Sequence, residues 1–200
     1  ELVQATGERD VAVIGCGAIG LTTAVTAQRA GLRVRICARE RPPEVSSSFA
    51  TGVWTPDSRV CSAAEATPNF ERQWEAMART SFRVYQTLLG LPGAPVEWHE
   101  GYELSDVPFG PGAGRKAEGE PEYAALESRL LADLRPVSQS LAAGEHPFAA
   151  AYAARYSMLG FNIGALSRLL MDDFLKNGGE IETRTFESPR QFTDLRERVI

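Results

Sequence analysis

The sequence predicts an α/β fold with a parallel sheet, and three observations carry this prediction. An apolar segment typical of a strand, Val11 to Ile14, runs directly into the pattern G-x-G-x-x-G at Gly15, Gly17 and Gly20. A stretch rich in Ala, Thr and Val follows and ends at Gly31, as expected for a helix. A second apolar strand then covers residues 33–38. A strand, a Gly-rich turn, a helix and a second strand in this order are typical of a Rossmann-type unit.

The glycines of the turn indicate binding of a dinucleotide. Gly15 permits the tight bend, Gly17 lets the backbone approach a pyrophosphate, and Gly20 lets the helix pack closely on the strand. The pyrophosphate would lie on unpaired N–H groups at the N-terminus of the helix, where the helix dipole favours negative charge. These glycines alone would be weak evidence for dinucleotide binding, but their position between two predicted strands makes the evidence strong.

Two charged residues at the end of the second strand bear on which dinucleotide is bound. Glu40 stands about 20 residues beyond the fingerprint, where an acid can bind the ribose 2′-hydroxyl. Arg39, its neighbour, could instead accommodate the 2′-phosphate of NADP. The fingerprint therefore leaves FAD, NAD and NADP open.

The rest of the chain predicts further helices and strands. In order, these are a long helix over residues 68–89 capped by Thr67, a hairpin over 96–105 with Gly101 in its turn, a helix over 122–134, a strand over 152–159, a helix capped by Asn162, and a strand over 180–186. We predict three regions: a Rossmann unit and the loop that follows it over 1–60, a long helix and part of a mixed-sheet substrate region over 61–150, and a return to the first domain over 151–200.

Composition excludes several classes of function. The net charge of −5 and the isoelectric point near 5.2 argue against a nucleic-acid or anionic-membrane partner. No apolar run approaches the ~20 residues that a membrane span needs, so we expect a soluble protein. The three cysteines and two histidines show no metal-type spacing, and no motif identifies a catalytic side chain.

The loop after the second strand resembles the flavin-binding segment of D-amino-acid oxidases, the fungal ones above all. Residues 38–48 read A-R-E-R-P-P-E-V-S-S-S, and residues 52–56 read G-V-W-T-P. The family has an acid at the strand end, a run of Ser or Thr, and a turn before Trp-x-Pro. Two departures are Thr51, where an Ala is common, and Phe186, which replaces a smaller aliphatic residue. The resemblance covers most of the chain, is specific from Val11 to Pro56, and implies FAD as the cofactor.

Carried over by position, the resemblance implies contacts to the phosphates and the ribose. Gly15, Ala18 and Ile19 would face the pyrophosphate, and Glu40 the ribose, with Arg39 alongside.

The resemblance also implies contacts elsewhere on the cofactor. Ser46, Ser47 and Ser48 would offer hydroxyls or N–H groups to the phosphates and the ribityl chain. Gly52 and Val53 would present backbone to the isoalloxazine ring, and Phe186 would lie near the adenine.

The activity implied is oxidative deamination of a D-amino acid. A hydride leaves Cα for the flavin, water hydrolyses the imino acid to a 2-oxo acid and ammonia, and O2 reoxidises the flavin to give hydrogen peroxide. Alternatives are a related amine oxidase acting on glycine, sarcosine or D-aspartate, an NADP-dependent reductase, and a non-catalytic nucleotide-binding half.

The resemblance further implies that substrate-binding residues lie beyond residue 200. We therefore expect an apparently truncated N-terminal half, either a fragment or one of two associating chains, and a homo-oligomer. We expect a cytoplasmic location, with a peroxisomal one as the alternative.

Overall fold

The computed structural model describes residues 10–56, 60–109, 122–134 and 138–200. Their elements, in chain order, are β1 (Val11–Ile14), α1 (Ala18–Arg29), β2 (Val34–Ala38), α2 (Pro68–Gln86), β3 (Val96–Ser105), α3 (Leu126–Leu130), β4 (Gln139–Ala142), β5 (Tyr152–Phe161), α4 (Ile163–Lys176), β6 (Glu180–Thr183) and β7 (Arg198–Val199). Two short 3-10 helices, Ser46–Phe49 and Pro189–Asp194, complete them. The chain divides into two compact units, residues 1–52 with 162–200 and residues 53–161.

Unit 1 contains a four-stranded parallel sheet in the order β6-β2-β1-β7. Helix α1 connects β1 to β2, and its end at Gly31, where φ is +86°, confirms the predicted C-terminal glycine. Strand β7 lies on the other side of β1, so the strand order reverses at β1. In open α/β sheets, ligands bind at such a switch point, outside the carboxyl ends of the strands.

The core of unit 1 lies between this sheet and helices α1 and α4. Alternate residues of β1 and β2, among them Val13 and Ile36, are almost fully buried against Leu21 of α1. Phe174 of α4 is completely buried in the same cluster. A Cβ at Gly179 would lie 2.4 Å from the Phe174 ring, so the glycine after α4 permits this close approach.

Unit 2 contains a three-stranded antiparallel sheet in the order β3-β5-β4. Strand β5 pairs with β3 along all ten residues of each, from Val96 opposite Phe161 to Ser105 opposite Tyr152. Phe82 of α2 packs on this sheet against Val96 and Leu159.

Helix α2 begins and is anchored as its sequence indicates. The Thr67 hydroxyl accepts a hydrogen bond from the Phe70 N–H, which confirms the predicted cap. In the middle of the helix, Arg79 donates to both carboxylate oxygens of Asp133 and to the Leu130 carbonyl, and it also pairs with Glu75. Arg79 therefore fastens α2 to the chain that follows α3.

The predicted hairpin over residues 96–105 is wrong. The segment is a single strand, β3, and Gly101 lies inside it opposite Tyr156. A Cβ at Gly101 would lie 3.1 Å from atoms of both Tyr156 and Met158. The glycine therefore leaves room for neighbouring side chains rather than making a turn.

Other predicted boundaries also differ. The long helix ends at Gln86 rather than at residue 89, and the last predicted strand ends at Thr183 rather than at residue 186. Only Leu126–Leu130 of the predicted helix over 122–134 is helical. The predicted return to the first domain at residue 151 comes later in the structure, because β5 belongs to unit 2 through its pairing with β3. The local sequence of each strand does not show that the two strands pair.

Replacing Phe174 by Ala should lower the free energy of unfolding by about 3–5 kcal/mol, because a fully buried ring leaves a cavity. Leu175 is the matched control: it is 47% exposed, and its replacement by Ala should change the free energy by about 0.5 kcal/mol or less. Denaturant unfolding followed by circular dichroism measures both, and equal losses would contradict the assigned core.

The pKa of Asp133 should lie below its usual value of 3.8, because the Arg79 guanidinium donates hydrogen bonds to the ionised carboxylate. A lowered pKa in the folded state means that the pair stabilises the fold above the unfolded pKa. That contribution is lost as the pH falls through the lower folded-state pKa. An NMR titration of the Asp133 carboxyl group measures this pKa, and in Arg79→Met it should move back up towards 3.8. A midpoint unchanged by that substitution would contradict the pairing.

Candidate dinucleotide site

A groove of about 610 Å³ lies at the carboxyl ends of the parallel strands of unit 1. Its walls come from the turn after β1, the residues after β2, and the 3-10 helix Ser46–Phe49. Ile200, directly after β7, also lines it, so the groove lies at the switch point on both sides of β1. This is where the fold predicts a ligand.

The turn after β1 keeps its shape through two glycines. Gly15 adopts a φ of +105°, which disfavours any side chain, and its N–H donates to the Cys37 carbonyl of β2. A Cβ at Gly20 would lie 2.1 Å from the Gly15 carbonyl oxygen. The first turn of α1 can therefore lie against the bend only because residue 20 is glycine.

The N-terminus of α1 opens into this groove. The N–H groups of Ile19 and Gly20 have no acceptor among the described residues, as is usual for the first turn of a helix. No side chain of its own caps the helix, since the N-cap residue is Gly17. Such N–H groups bind phosphate oxygens, and the helix dipole adds to the attraction.

Ser47 contacts this helix end from the 3-10 helix Ser46–Phe49. Its hydroxyl oxygen accepts a hydrogen bond of 2.9 Å from the Ala18 N–H. A Cβ at Gly17 would lie 3.0 Å from the same oxygen, so Gly17 permits the contact. The Ser47 hydroxyl retains its own proton to donate, and a phosphate oxygen in the groove would be a suitable acceptor.

Two charged side chains form the rim of the groove at the end of β2. Arg39 donates to the Glu40 carboxylate at 3.1 Å, and both side chains are well exposed. Glu40 retains its other carboxylate oxygen as an acceptor for ribose hydroxyls.

The structure brings most of the predicted cofactor contacts together. Nine of them line the groove: Gly15, Gly17, Ala18, Ile19, Gly20, Arg39, Glu40, Ser46 and Ser47. Four others do not. Ser48 donates its N–H to the Val45 carbonyl, Gly52 ends the first part of unit 1, Val53 bridges to Gly160 in unit 2, and Phe186 packs against Phe192 and Arg184. The roles predicted for these four residues stay predictions.

Several residues that line the groove escaped the sequence analysis. Thr23, Val45 and Ile200 are the main ones. Helical spacing could have identified Thr23, because it lies three residues after Gly20 on the same face of α1. The sequence around Ile200 does not identify it as a lining residue, because its position in the groove depends on the pairing of β7 with β1.

Cys16 also lines the groove, but its thiol is almost fully buried. Burial raises the pKa of this thiol, so it stays protonated at neutral pH. The side chain belongs to the core of unit 1, as expected for a cysteine that acts as a small hydrophobic residue.

We also searched the described residues for metal-binding clusters and for membrane-spanning helices. These residues contain no cluster of His, Cys, Asp or Glu that could hold a metal ion. None of their helices combines the length and the apolar character needed to cross a membrane.

This geometry is that of an α/β protein with a candidate dinucleotide site, and comparison with known proteins identifies the family. Residues 10–195 match the family described as FAD dependent oxidoreductase, and the chain belongs to that family. Its cofactor is therefore FAD. The residues present fit this group, because the groove offers a bend with glycine at positions 15, 17 and 20, helix N–H groups for the diphosphate and an acid for the ribose.

Individual relatives agree with this assignment. A D-amino-acid oxidase from Rubrobacter xylanophilus is 37% identical over 109 residues, which are 54% of this chain and 28% of that protein. A glycine oxidase from Bacillus cereus has a similar fold, with a TM-score of 0.53 at 18% identity, over 88% of this chain and 46% of its own. An L-alpha-glycerophosphate oxidase from Mycoplasma pneumoniae, with FAD bound, gives a TM-score of 0.56 at 17% identity, over 86% and 44%. The chain thus spans less than half the length of each of these proteins.

Replacing Gly20 by Ala should weaken FAD binding by about fivefold or more. The added Cβ would displace the bend, a clash of this kind costs about 1–3 kcal/mol, and about 1.4 kcal/mol is a factor of ten. Flavin fluorescence quenching during titration measures the dissociation constant.

Gly164→Ala is the control, since Gly164 lies in the first turn of α4 and a Cβ there would be 3.5 Å or more from its neighbours. It should leave FAD binding unchanged and stabilise the fold by about 0.5–1 kcal/mol. If both variants bound FAD as the parent does, the assignment of the bend at Gly15 to Gly20 as the FAD site would be wrong.

Proposed function

We propose that the protein is a FAD-dependent oxidase that deaminates D-amino acids to 2-oxo acids, ammonia and hydrogen peroxide. The observation that supports this most is the groove at the end of β1, in a chain of the FAD-dependent oxidoreductase family. The choice of D-amino acids is supported by the relative from Rubrobacter xylanophilus, which is named D-amino-acid oxidase and is 37% identical where it aligns.

In this proposal the residues of unit 1 bind and orient the cofactor. The Ile19 and Gly20 N–H groups hold one phosphate, and the Ser47 hydroxyl accepts from Ala18 and donates to a second oxygen. Glu40 accepts from the ribose hydroxyls, and Arg39 keeps its carboxylate in position. When bound, FAD supplies the two-electron acceptor, so that the protein itself needs no redox group.

The predicted flavin contacts extend this proposal beyond the groove. Gly52 and Val53 would present backbone to the isoalloxazine ring, Ser48 would contact the ribityl chain, and Phe186 would lie near the adenine.

The Ser47 contact makes the phosphate assignment testable. Ser47→Ala should weaken FAD binding about two- to tenfold, because it removes one hydroxyl hydrogen bond of about 0.5–1.5 kcal/mol. Ser47→Thr should restore binding if the hydroxyl acts as described, and isothermal calorimetry with FAD measures the two. An unchanged constant in Ser47→Ala would exclude Ser47 from the phosphate site.

The activity itself is tested on the purified protein with its bound flavin. D-Alanine should yield ammonia and hydrogen peroxide in equal amounts, whereas L-alanine should yield neither. Glycine, sarcosine and D-aspartate form the rest of the panel, because turnover of one of these without D-alanine would assign a related amine oxidase. Gly20→Ala should lose peroxide formation in proportion to its lost flavin. A protein that binds NADP in place of a flavin would overturn the proposal.

A further inference from the structure

The parallel sheet of unit 1 has one apolar face and one face that carries charged side chains. On β2, Val34 and Ile36 are fully buried in the cluster that the sheet forms with the helices. Arg35 lies between them along the strand, so its side chain points to the opposite face. Glu182 of β6 lies on that face as well, because it pairs with Cys37, two residues after Arg35. Arg35 and Glu182 are therefore neighbours on the face away from the helices.

Arg35 forms ion pairs towards both sides of the sheet. Its Nη1 lies 2.6 Å from Glu182 Oε2 on β6, and its Nη2 lies 2.6 Å from Glu197 Oε1, directly before β7. Strand β1 lies between β2 and β7, and the residue opposite Arg35 on β1 is Ala12, which is fully buried. Because the side chain of Ala12 is a single methyl group, the guanidinium can reach over it. Arg35 thus connects β6 to β7 across the sheet.

The pair with Glu197 is better suited to fixing a position than to adding stability. Only 7% of the Glu197 side chain is exposed, so its carboxylate has lost most of its hydration. In the part of the chain that the structure describes, Glu197 Oε2 and Arg35 Nε have no hydrogen-bond partner. A buried ion pair with unsatisfied atoms adds little net stability, but it strongly disfavours arrangements that separate its charges.

Backbone pairing alone does not fix the register of β7 against β1. Residues 11 and 12 pair with residues 198 and 199, and a strand that slipped by two residues would keep the same faces and similar backbone hydrogen bonds. Such a slip would move each residue of β7 about 7 Å along the sheet. It would also separate Glu197 from Arg35, so the ion pair selects the observed register.

The register of β7 matters for the groove, because the residue after β7 lines it. Ile200 forms part of the groove wall, and its carbonyl accepts from the Ile14 N–H at 3.0 Å. Ile14 also lines the groove and directly precedes Gly15 of the bend. Displacement of β7 would therefore move one wall of the groove and release the end of β1 that leads into the bend.

We propose that Arg35 is a positioning residue for the FAD groove. By pairing with Glu197, it fixes the register of β7 and so places Ile200 and the end of β1. Arg35 itself does not line the groove, so it acts through β7 and not by contact with the cofactor. This inference rests on the groove of unit 1 as the FAD site, and it does not depend on which substrate is oxidised.

Arg35→Met tests this role, because it keeps much of the side-chain length and removes the charge. FAD titration followed by fluorescence quenching should give a dissociation constant about threefold or more above that of the parent. Glu197→Gln, which removes the charge of the other partner, should weaken FAD binding to a similar extent. The double variant should bind FAD about as well as either single variant, because each single change already breaks the same contact. Additive losses would show that the two residues act separately and would overturn the proposal.

Two further variants separate the effect on β7 from general effects of charge. Glu182→Gln removes the carboxylate that Arg35 contacts on β6 and leaves the pair with Glu197 in place, so FAD binding should match that of the parent. Arg29→Met breaks an exposed ion pair with Asp173 in the same unit and should also leave FAD binding unchanged. A loss in Glu182→Gln equal to that in Glu197→Gln would contradict the role of β7. Should Arg35→Met fail to fold, this comparison decides alone.

Hydrogen exchange measures the β1–β7 pairing without FAD. The Ile14 N–H donates to the Ile200 carbonyl and the Ile200 N–H donates to the Ala12 carbonyl, so both should exchange about threefold or more faster in Arg35→Met than in the parent. In Arg29→Met they should exchange as in the parent. Circular dichroism checks that each variant is folded. Faster exchange with unchanged FAD binding would mean that Arg35 supports the sheet without positioning the groove, and the proposal would be wrong.

The Gly20→Ala variant keeps this inference separate from the assignment of the groove. If Gly20→Ala weakens FAD binding and Arg35→Met does not, the groove stays assigned and only the role of Arg35 fails. If neither variant weakens FAD binding, the groove is not the FAD site and both conclusions fall. Weaker FAD binding in Arg35→Met, Glu197→Gln and Gly20→Ala, with normal binding in Glu182→Gln, supports the role of Arg35 whatever substrate the oxidase assay identifies.

Discussion

The candidate cofactor site depends on one constraint, the contact between the first turn of α1 and the bend that precedes it. At Gly20, a side chain of even one carbon would come within 2.1 Å of the Gly15 carbonyl. The absence of that carbon lets α1 start close to the carboxyl end of β1, so its free N–H groups point into the groove. The Ser47 contact depends on the same arrangement, because Ser47 reaches the Ala18 N–H across Gly17.

Much of this site could be predicted from sequence because its determinants are local. Between Val11 and Glu40 the chain forms one strand–helix–strand unit, and each residue type there has one main physical role. Caps at Thr67 and Asn162 are local in the same way, and both are confirmed by side-chain oxygens that accept from backbone N–H groups. The family also follows from this region, because the loop up to Pro56 carries the resemblance.

The parts that sequence reasoning missed depend on partners far away in the chain. The sequence around Gly101 predicts a turn, since a glycine between two short polar segments is typical of a hairpin. Its actual environment is set by Tyr156 and Met158, which approach it from β5. Ile200 enters the groove for a similar reason, through pairing of β7 with β1. Periodicity within a segment contains no information about such partners.

Unit 2 interrupts unit 1 along the chain, and this insertion affects how the protein can be made. Strands β2 and β6 are neighbours in one sheet, yet Cys37 and Glu182, which contact each other across them, are 145 residues apart. During synthesis β2 therefore leaves the ribosome long before β6 exists, with one edge uncovered. That edge stays unpaired until translation reaches the last strands. We therefore expect this protein to need chaperones more during its synthesis than after it is complete.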